Sequence, residues 1–251
     1  MEELPYLREI SIQSPGKHLK NKYPFNIPSI KYLDKIQFNP GVTFIVGENG
    51  SGKSTLLESI AVSLGFNPEG GSRNFSFSTR QTHSELYDHL KLVRSYLRPK
   101  EGFFLRAESF YNVASNIDDM DSVAMNSPPI IDSFGGKSLH QQSHGESFLA
   151  LLNHRFRGNG IYILDEPEAA LSPFHQMTVL SRMGQLLRKS SQFIIATHSP
   201  IIMAYPGATI YQLDENGISQ VEYEETSHYQ ITKSFLNSTG IMLKELLQNE
   251  T

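Results

Sequence analysis

The stretch Gly47-Glu48-Asn49-Gly50-Ser51-Gly52-Lys53-Ser54-Thr55 constrains this chain more than any other. It lies between the apolar run Val42-Thr43-Phe44-Ile45-Val46 and the segment Leu56-Leu57-Glu58-Ser59-Ile60-Ala61-Val62, which read as a short buried strand and an amphipathic helix. A glycine-rich turn between a strand and a helix is the setting a phosphate-binding loop requires. Polyphosphate needs several donors converging on one place. Glycines let the backbone bend so that successive N–H groups point inward as a nest, and a helix beginning near Lys53 adds unpaired amides and the positive end of its dipole. Lys53 is expected to reach the β- and γ-phosphates, and the Ser54 hydroxyl to bind magnesium. A glycine-rich turn that fits by chance is the competing reading, and it leaves the flanking strand and helix unexplained.

Two later apolar runs end in polar residues. Residues 160–166, Gly-Ile-Tyr-Ile-Leu-Asp-Glu, close on Asp165 and Glu166, and residues 192–198, Gln-Phe-Ile-Ile-Ala-Thr-His, close on His198. Continuously apolar strands separated by helices imply a mainly parallel sheet covered on both faces, with ligands beyond the carboxyl ends of its strands. Asp165 suits a magnesium role that complements Ser54, since a hard cation between phosphates prefers oxygen ligands. Glu166 is expected to orient or deprotonate the attacking water, a contribution of about 10²–10⁴ in rate. His198 is expected to donate to the γ-phosphate.

At 251 residues, with 39% hydrophobic and 19% charged positions, the chain is long enough for a substantial core, and one domain spanning 1–251 with a helical and loop excursion over about 67–145 is expected. No apolar run approaches the roughly 20 residues that cross a bilayer, and the amino terminus has no signal-peptide pattern, so a soluble, cytoplasmic protein without membrane partners is expected. Cysteine is absent, which excludes disulfides and thiolate metal sites. The net charge of -4 gives no general attraction to nucleic acid. A local basic run at Lys17, His18, Lys20 and Lys22 reads as a solvated loop.

Along the chain, residues 7–13 read as a strand ended by Pro15-Gly16. Residues 31–38 read as a second strand returning to meet 42–46. Tyr23, Phe25 and Tyr32 offer faces for an adenine, or cover a core edge, and the sequence does not choose among them. The segment 67–82, rich in glycine, serine and asparagine, reads as a mobile surface excursion. Leu86, Leu90, Val93 and Leu97 at helical spacing predict a helix over 84–97, and residues 102–106 a buried strand. The acidic run at 118–121 lacks the spacing of a calcium loop. Ser143 to Ser147 opens a helical stretch, residues 217–222 read as a strand, and 229–247 as one or two helices.

Taken together, the phosphate loop, the Ser143-His144-Gly145-Glu146 motif, the strand ending in Asp165-Glu166, the run Pro167-Glu168-Ala169-Ala170-Leu171-Ser172-Pro173 and the strand ending in Thr197-His198-Ser199-Pro200 resemble an ATP-binding-cassette (ABC) type ATPase. The likeness is to the soluble branch that includes SMC, RecF and OLD-type proteins, and in particular to small bacterial AAA-family ATPases. It covers roughly residues 10–213. It implies a P-loop NTPase head with a mainly parallel central sheet flanked by helices and an antiparallel β edge. It also implies ATP and Mg²⁺ as ligands and an ATP-dependent head-to-tail homodimer, in which Ser143, Gly145 and Glu146 cap the γ-phosphate held by a second subunit. Glu108 stands where the family carries the Q-loop glutamine and takes the expected magnesium or water role. His144 and Glu146 depart from the glycine and glutamine of many transporters.

The first reading is therefore an ATP hydrolase whose nucleotide-driven dimerisation acts as a switch. The second is a weakly hydrolysing ATP-sensing module that regulates a partner, a nuclease or DNA-processing factor. A small-molecule kinase has no need of the Ser143 motif, and a GTPase would carry an Asn-Lys-x-Asp motif after the loop. The interval from Lys53 to Ser143 is too short for a long coiled coil and holds no sustained heptads.

Overall fold

The computed structural model describes residues 5–13, 16, 18–73, 84–108, 110–123 and 129–248. Lys17 of the basic run, most of the 67–82 excursion and the stretch leading to Pro128 lie outside them.

A six-stranded sheet forms the centre. In chain order its members are β3 (Val42–Gly47), β5 (Glu101–Arg106), β6 (Gly160–Asp165), β7 (Gln192–Ala196), β8 (Thr209–Asp214) and β9 (Gly217–Val221), arranged β5-β6-β7-β3-β8-β9. The first five run parallel, and β9 turns back antiparallel on β8. Every residue of β3, β6 and β7 is buried, as expected for strands covered on both faces. One cover is α2 (Lys53–Ser63), which brings Leu56, Leu57, Ile60 and Ala61 onto the sheet. The other is built from α3 (Phe110–Val123), α4 (His144–Ala150) and α5 (Pro173–Leu187), with Ile117, Phe148, Val179 and Met183 fully or almost fully buried.

A second, three-stranded antiparallel sheet joins β1 (Leu7–Ile12), β2 (Lys35–Gln37) and β4 (Leu90–Arg94) in the order β2-β1-β4. It is tied to the central sheet where the Gln192 side chain accepts from the Leu7 amide and donates to the Leu7 carbonyl, both at 2.9 Å. This buried amide copies the pairing of one more strand residue.

Several local expectations change. Residues 28–31 form a short helix, α1 (Pro28–Lys31), so the strand that follows is only three residues long, and it pairs with β1 through Ile36 and Ile10, not with β3. The helix expected over 84–97 is a short 3₁₀ turn, Glu85–His89, followed by β4. Leu90, Lys91 and Leu92 alternate inward, outward and inward, a period of two that the unpaired edge of β1 selects. The described start of the excursion is also not loose, since Gly70, Gly71 and Ser72 are buried and Gly71 bridges Phe104. In the acidic run, Asp121 accepts from the amides of Ile130 and Ile131 at 2.6 and 2.8 Å, and Asp118 from the Ser138 hydroxyl at 2.8 Å, so both carboxylates tie down the chain beyond α3.

Two helices end the described chain. These are α7 (Ser227–Asn237), which follows the four-residue α6 (Pro200–Met203) and the β8–β9 hairpin, and α8 (Thr239–Gln248). Neither buries a residue, and Ile231, Leu236, Ile241, Leu246 and Leu247 are all exposed.

Candidate nucleotide site

The loop after β3 has the conformation that only glycine tolerates at its key points. Gly47, Gly50 and Gly52 have φ of 150°, 80° and 98°, and a Cβ on Gly47 would stand 2.4 Å from the Leu213 carbonyl oxygen. Helix α2 then starts at Gly52 with no side chain capping it, so its first amides are left for a ligand. Lys53 is 4% exposed and its Nζ donates to the carbonyls of Gly47 at 2.8 Å and Glu48 at 3.0 Å. Burial pulls its pKa down, while Glu166, Asp165 and Glu48 push it back up. The Ser51 hydroxyl is buried without a hydrogen-bond partner among the described residues. An uncapped helix end, an orphaned hydroxyl and a buried ammonium fit a polyphosphate.

Across the cleft, Ser54 Oγ donates to Asp165 Oδ1 at 3.1 Å. Burial raises the Asp165 pKa to about 7 against the pull of Arg106 and of the Ser54 hydroxyl. A carboxylate and a hydroxyl in contact, beside a phosphate loop, are the oxygen donors a magnesium ion takes. Glu166, one residue on, has φ 51°, ψ 53°, the left-handed region that non-glycine residues enter uncommonly and that among the described residues it shares with Asn159 and Ser190. Its Oε1 lies 3.4 Å from His198 Nε2. The structure thus gathers Lys53, Ser54, Asp165, Glu166 and His198 beyond the carboxyl ends of β3, β6 and β7.

Other expected residues stand apart. Ser143 caps α4, and a full capping box links it with Glu146: Ser143 Oγ accepts from the Glu146 amide at 3.3 Å, while the Glu146 carboxylate accepts from the Ser143 amide at 2.9 Å and hydroxyl at 2.7 Å. These hydrogen bonds hold the Glu146 pKa below the usual range. Ser143 and Glu146 are exposed, while Gly145 is buried against the Ala170 carbonyl. Glu108 is 88% exposed, 3.6 Å from Arg106. Of the three aromatics, Phe25 is buried against His89, whereas Tyr23 is 64% exposed with its hydroxyl 3.0 Å from Thr55 Oγ1.

Three participants were not singled out as site residues from the sequence. Arg106 pairs with Glu58 and sits 3.8 Å from Asp165. The Glu168 carboxylate accepts from the Thr197 hydroxyl at 2.8 Å and the His198 amide at 2.5 Å, clamping the two strand ends together. His228, at the start of α7, places its Nε2 at 2.8 Å from His198 Nδ1.

Residues 25–113 match a family described as an AAA domain, and residues 138–204 one described as an AAA domain, putative AbiEii toxin, Type IV TA system. A putative ABC transporter ATP-binding protein of Caldanaerobacter subterraneus subsp. tengcongensis is 30% identical over 195 residues, covering 72% of this chain and 80% of that one. The chain belongs to the ABC-type ATPase family. A hemin import ATP-binding protein of Idiomarina loihiensis is 26% identical over 202 residues, 72% of this chain and 75% of the relative. In fold, this ABC-type ATPase is similar to a nucleotide-free ATP-binding cassette from an ABC transporter, with a TM-score of 0.50, 16% identity, and coverage of 93% and 96% of the two chains. ATP is accordingly the nucleotide that this ABC-type head binds and hydrolyses. Among its described residues no helix is long and apolar enough to cross a membrane.

Proposed function

We propose that this ATPase is a magnesium-dependent switch that closes head to tail on a second copy of itself when ATP is bound. The loop amides and Lys53 grip the β- and γ-phosphates. Ser54 and Asp165 would hold Mg²⁺, which when bound neutralises phosphate charge and orients the γ-phosphoryl group, with Glu108 completing the set through a water. Glu166 takes the general-base role; its left-handed backbone turns the carboxylate into the cleft beside His198. Tyr23, exposed beside Thr55, is the aromatic best placed for the adenine.

The observation that carries the switch is the separation of the two anion sites. Ser143 and Gly145 have as neighbours Glu146, Ala170 and His175, none of them from the phosphate loop, yet Ser143 is exposed and heads a helix. A helix start that holds only its own Glu146 carboxylate, and that the phosphate loop of the same chain does not reach, suits a phosphate on a partner copy that displaces that carboxylate. The test is Glu166→Gln, with turnover and mass by light scattering measured with and without ATP. Turnover is expected to fall by about 10²–10⁴ while ATP binding persists and a dimer accumulates. A variant that hydrolyses like the parent, or stays monomeric at saturating ATP, overturns the proposal.

A second reading, a weakly hydrolysing ATP sensor that regulates a nuclease or DNA-processing partner, is favoured by the exposed apolar residues of α7 and α8. Turnover of the protein alone that is already fast and unchanged by added DNA argues against it, whereas salt-sensitive DNA affinity supports it.

A further inference from the structure

The site contains a histidine pair in which only one member has an assignment. His198 Nδ1 and His228 Nε2 are 2.8 Å apart, with ring centroids at 5.0 Å in an edge-on arrangement. Two ring nitrogens at that distance share one proton, so one ring donates and the other accepts. The outer nitrogens, His198 Nε2 and His228 Nδ1, are buried and form no hydrogen bond among the described residues. The surroundings decide the polarity. His198 Nε2 faces the Glu166 carboxylate at 3.4 Å, and a bare imidazole nitrogen turned toward a carboxylate would set lone pair against anion. An N–H on that nitrogen removes the repulsion. In a neutral ring it leaves Nδ1 as the acceptor, and His228 must then be the donor.

His228 is held for that task from several sides. It is the second residue of α7, after the fully buried Thr226, whose side chain caps the helix by accepting from Tyr229. The Tyr223 hydroxyl donates to the Pro200 carbonyl at 2.8 Å, pinning the approach to α7 beside the strand end that carries His198. Burial first, then His198 and Lys53, lower the His228 pKa, against Glu48. The amino end of a helix also disfavours a cation. A ring kept neutral has a single N–H to give.

Resting on the ATPase reading above, we infer that His228 is a positioning residue: its Nε2–H donates to His198 Nδ1 and fixes the His198 tautomer whose Nε2–H points at Glu166 and the γ-phosphate. A helix that buries none of its own residues thereby reaches into the nucleotide site through one side chain.

The test uses the full chain with ¹⁵N-labelled histidine, the parent compared with His228→Phe, which keeps a ring and loses the donor, and His228→Gln, whose amide N–H replaces Nε2–H. Long-range ¹H–¹⁵N spectra of the unliganded proteins, with the His198 signals assigned from His198→Asn, read the tautomer directly. The parent and His228→Gln are expected to hold the proton on His198 Nε2, and His228→Phe to show a mixture. Steady-state kinetics are expected to show kcat reduced about tenfold in His228→Phe, short of the ~10²-fold loss that misplacing a reacting group by an ångström causes, with KM for ATP within about twofold and recovery in His228→Gln. A proton found on His198 Nδ1 in the parent, or equal loss of kcat in both variants, overturns the assignment. The tautomer measurement needs no turnover, so it stands or falls independently of the Glu166→Gln result.

Discussion

Helices α2 and α4 both begin where an anion could bind, and they are finished in opposite ways. The end of α2 is left open: Gly52 offers no side chain, the Ser51 hydroxyl has no partner among the described residues, and Lys53 folds back onto two loop carbonyls. The end of α4 is closed, because Glu146 supplies in advance the negative charge that a phosphate would bring. The open end is built around a ligand taken from solution. The closed end is stable without one and yields its Ser143 hydroxyl only when something displaces the carboxylate.

Substitutions can break that contrast. Lys53→Ala is expected to have the largest effect on affinity, weakening ATP binding by about 10²-fold through loss of a charge-assisted contact; titration calorimetry checks it. Ser143→Ala, at the closed end, should leave that affinity within about twofold. If the two variants lose affinity equally, the ends are not different in kind.

The acid of the open site sharpens the contrast through pH. The Asp165 pKa is raised in the fold to about 7, above its value of about 3.9 in an unfolded chain. Below about pH 4 both states carry the proton. As the pH rises toward 7 the unfolded state loses the proton first, so the unliganded protein is progressively destabilised, and above about 7 the loss is complete. Asp165→Asn should therefore raise the unfolding free energy of the unliganded protein at pH 8, by an amount on the order of 4 kcal/mol, and leave it nearly unchanged near pH 4. A rise of equal size at both pH values would show that desolvation of the carboxylate is not the cause.

Smaller effects are expected at α4. Ser143→Ala should cost about 1 kcal/mol of stability as a lost cap, read by urea denaturation. Glu146→Gln keeps the shape but weakens the hold on Ser143. In the proposed switch it should lower the ATP concentration at which dimers form, since a neutral side chain is displaced more easily than a carboxylate. Dimers that need more ATP than the parent would mean that Glu146 serves the closed state instead.

The elements that sequence placed well are those where one physical requirement fixes several residues at once. A loop that binds polyphosphate needs its glycines, its lysine and its hydroxyl in fixed order, with a strand before and a helix after, and residues 42–63 are arranged in that way. Fully apolar strands ending in acids and a histidine announced the parallel sheet for the same reason. The helix start at Ser143 to Ser147 was legible as well, although only the structure shows the capping box that closes it. Where the pattern fitted two structures the sequence was ambiguous: Leu86, Leu90, Val93 and Leu97 sit at helical spacing, yet Leu90-Lys91-Leu92 also alternates, and the free edge of β1 turned the stretch into β4.

Chemistry shared between distant segments had no local signature at all. Glu168 clamping the His198 amide, Arg106 beside Asp165 and His228 against His198 each depend on which strand ends are neighbours. The sequence by itself determined the phosphate loop, the buried strands with their polar ends and the two helix starts, since these follow from backbone conformation, hydrophobic period and contacts within a few residues. Only the tertiary structure decided that one helix end stays open and meets Asp165, that Gln192 seats the small sheet, and that α7 delivers a second histidine. Those are juxtapositions across the sheet, and no spacing along the chain encodes the distance between two segments until the core has packed them together.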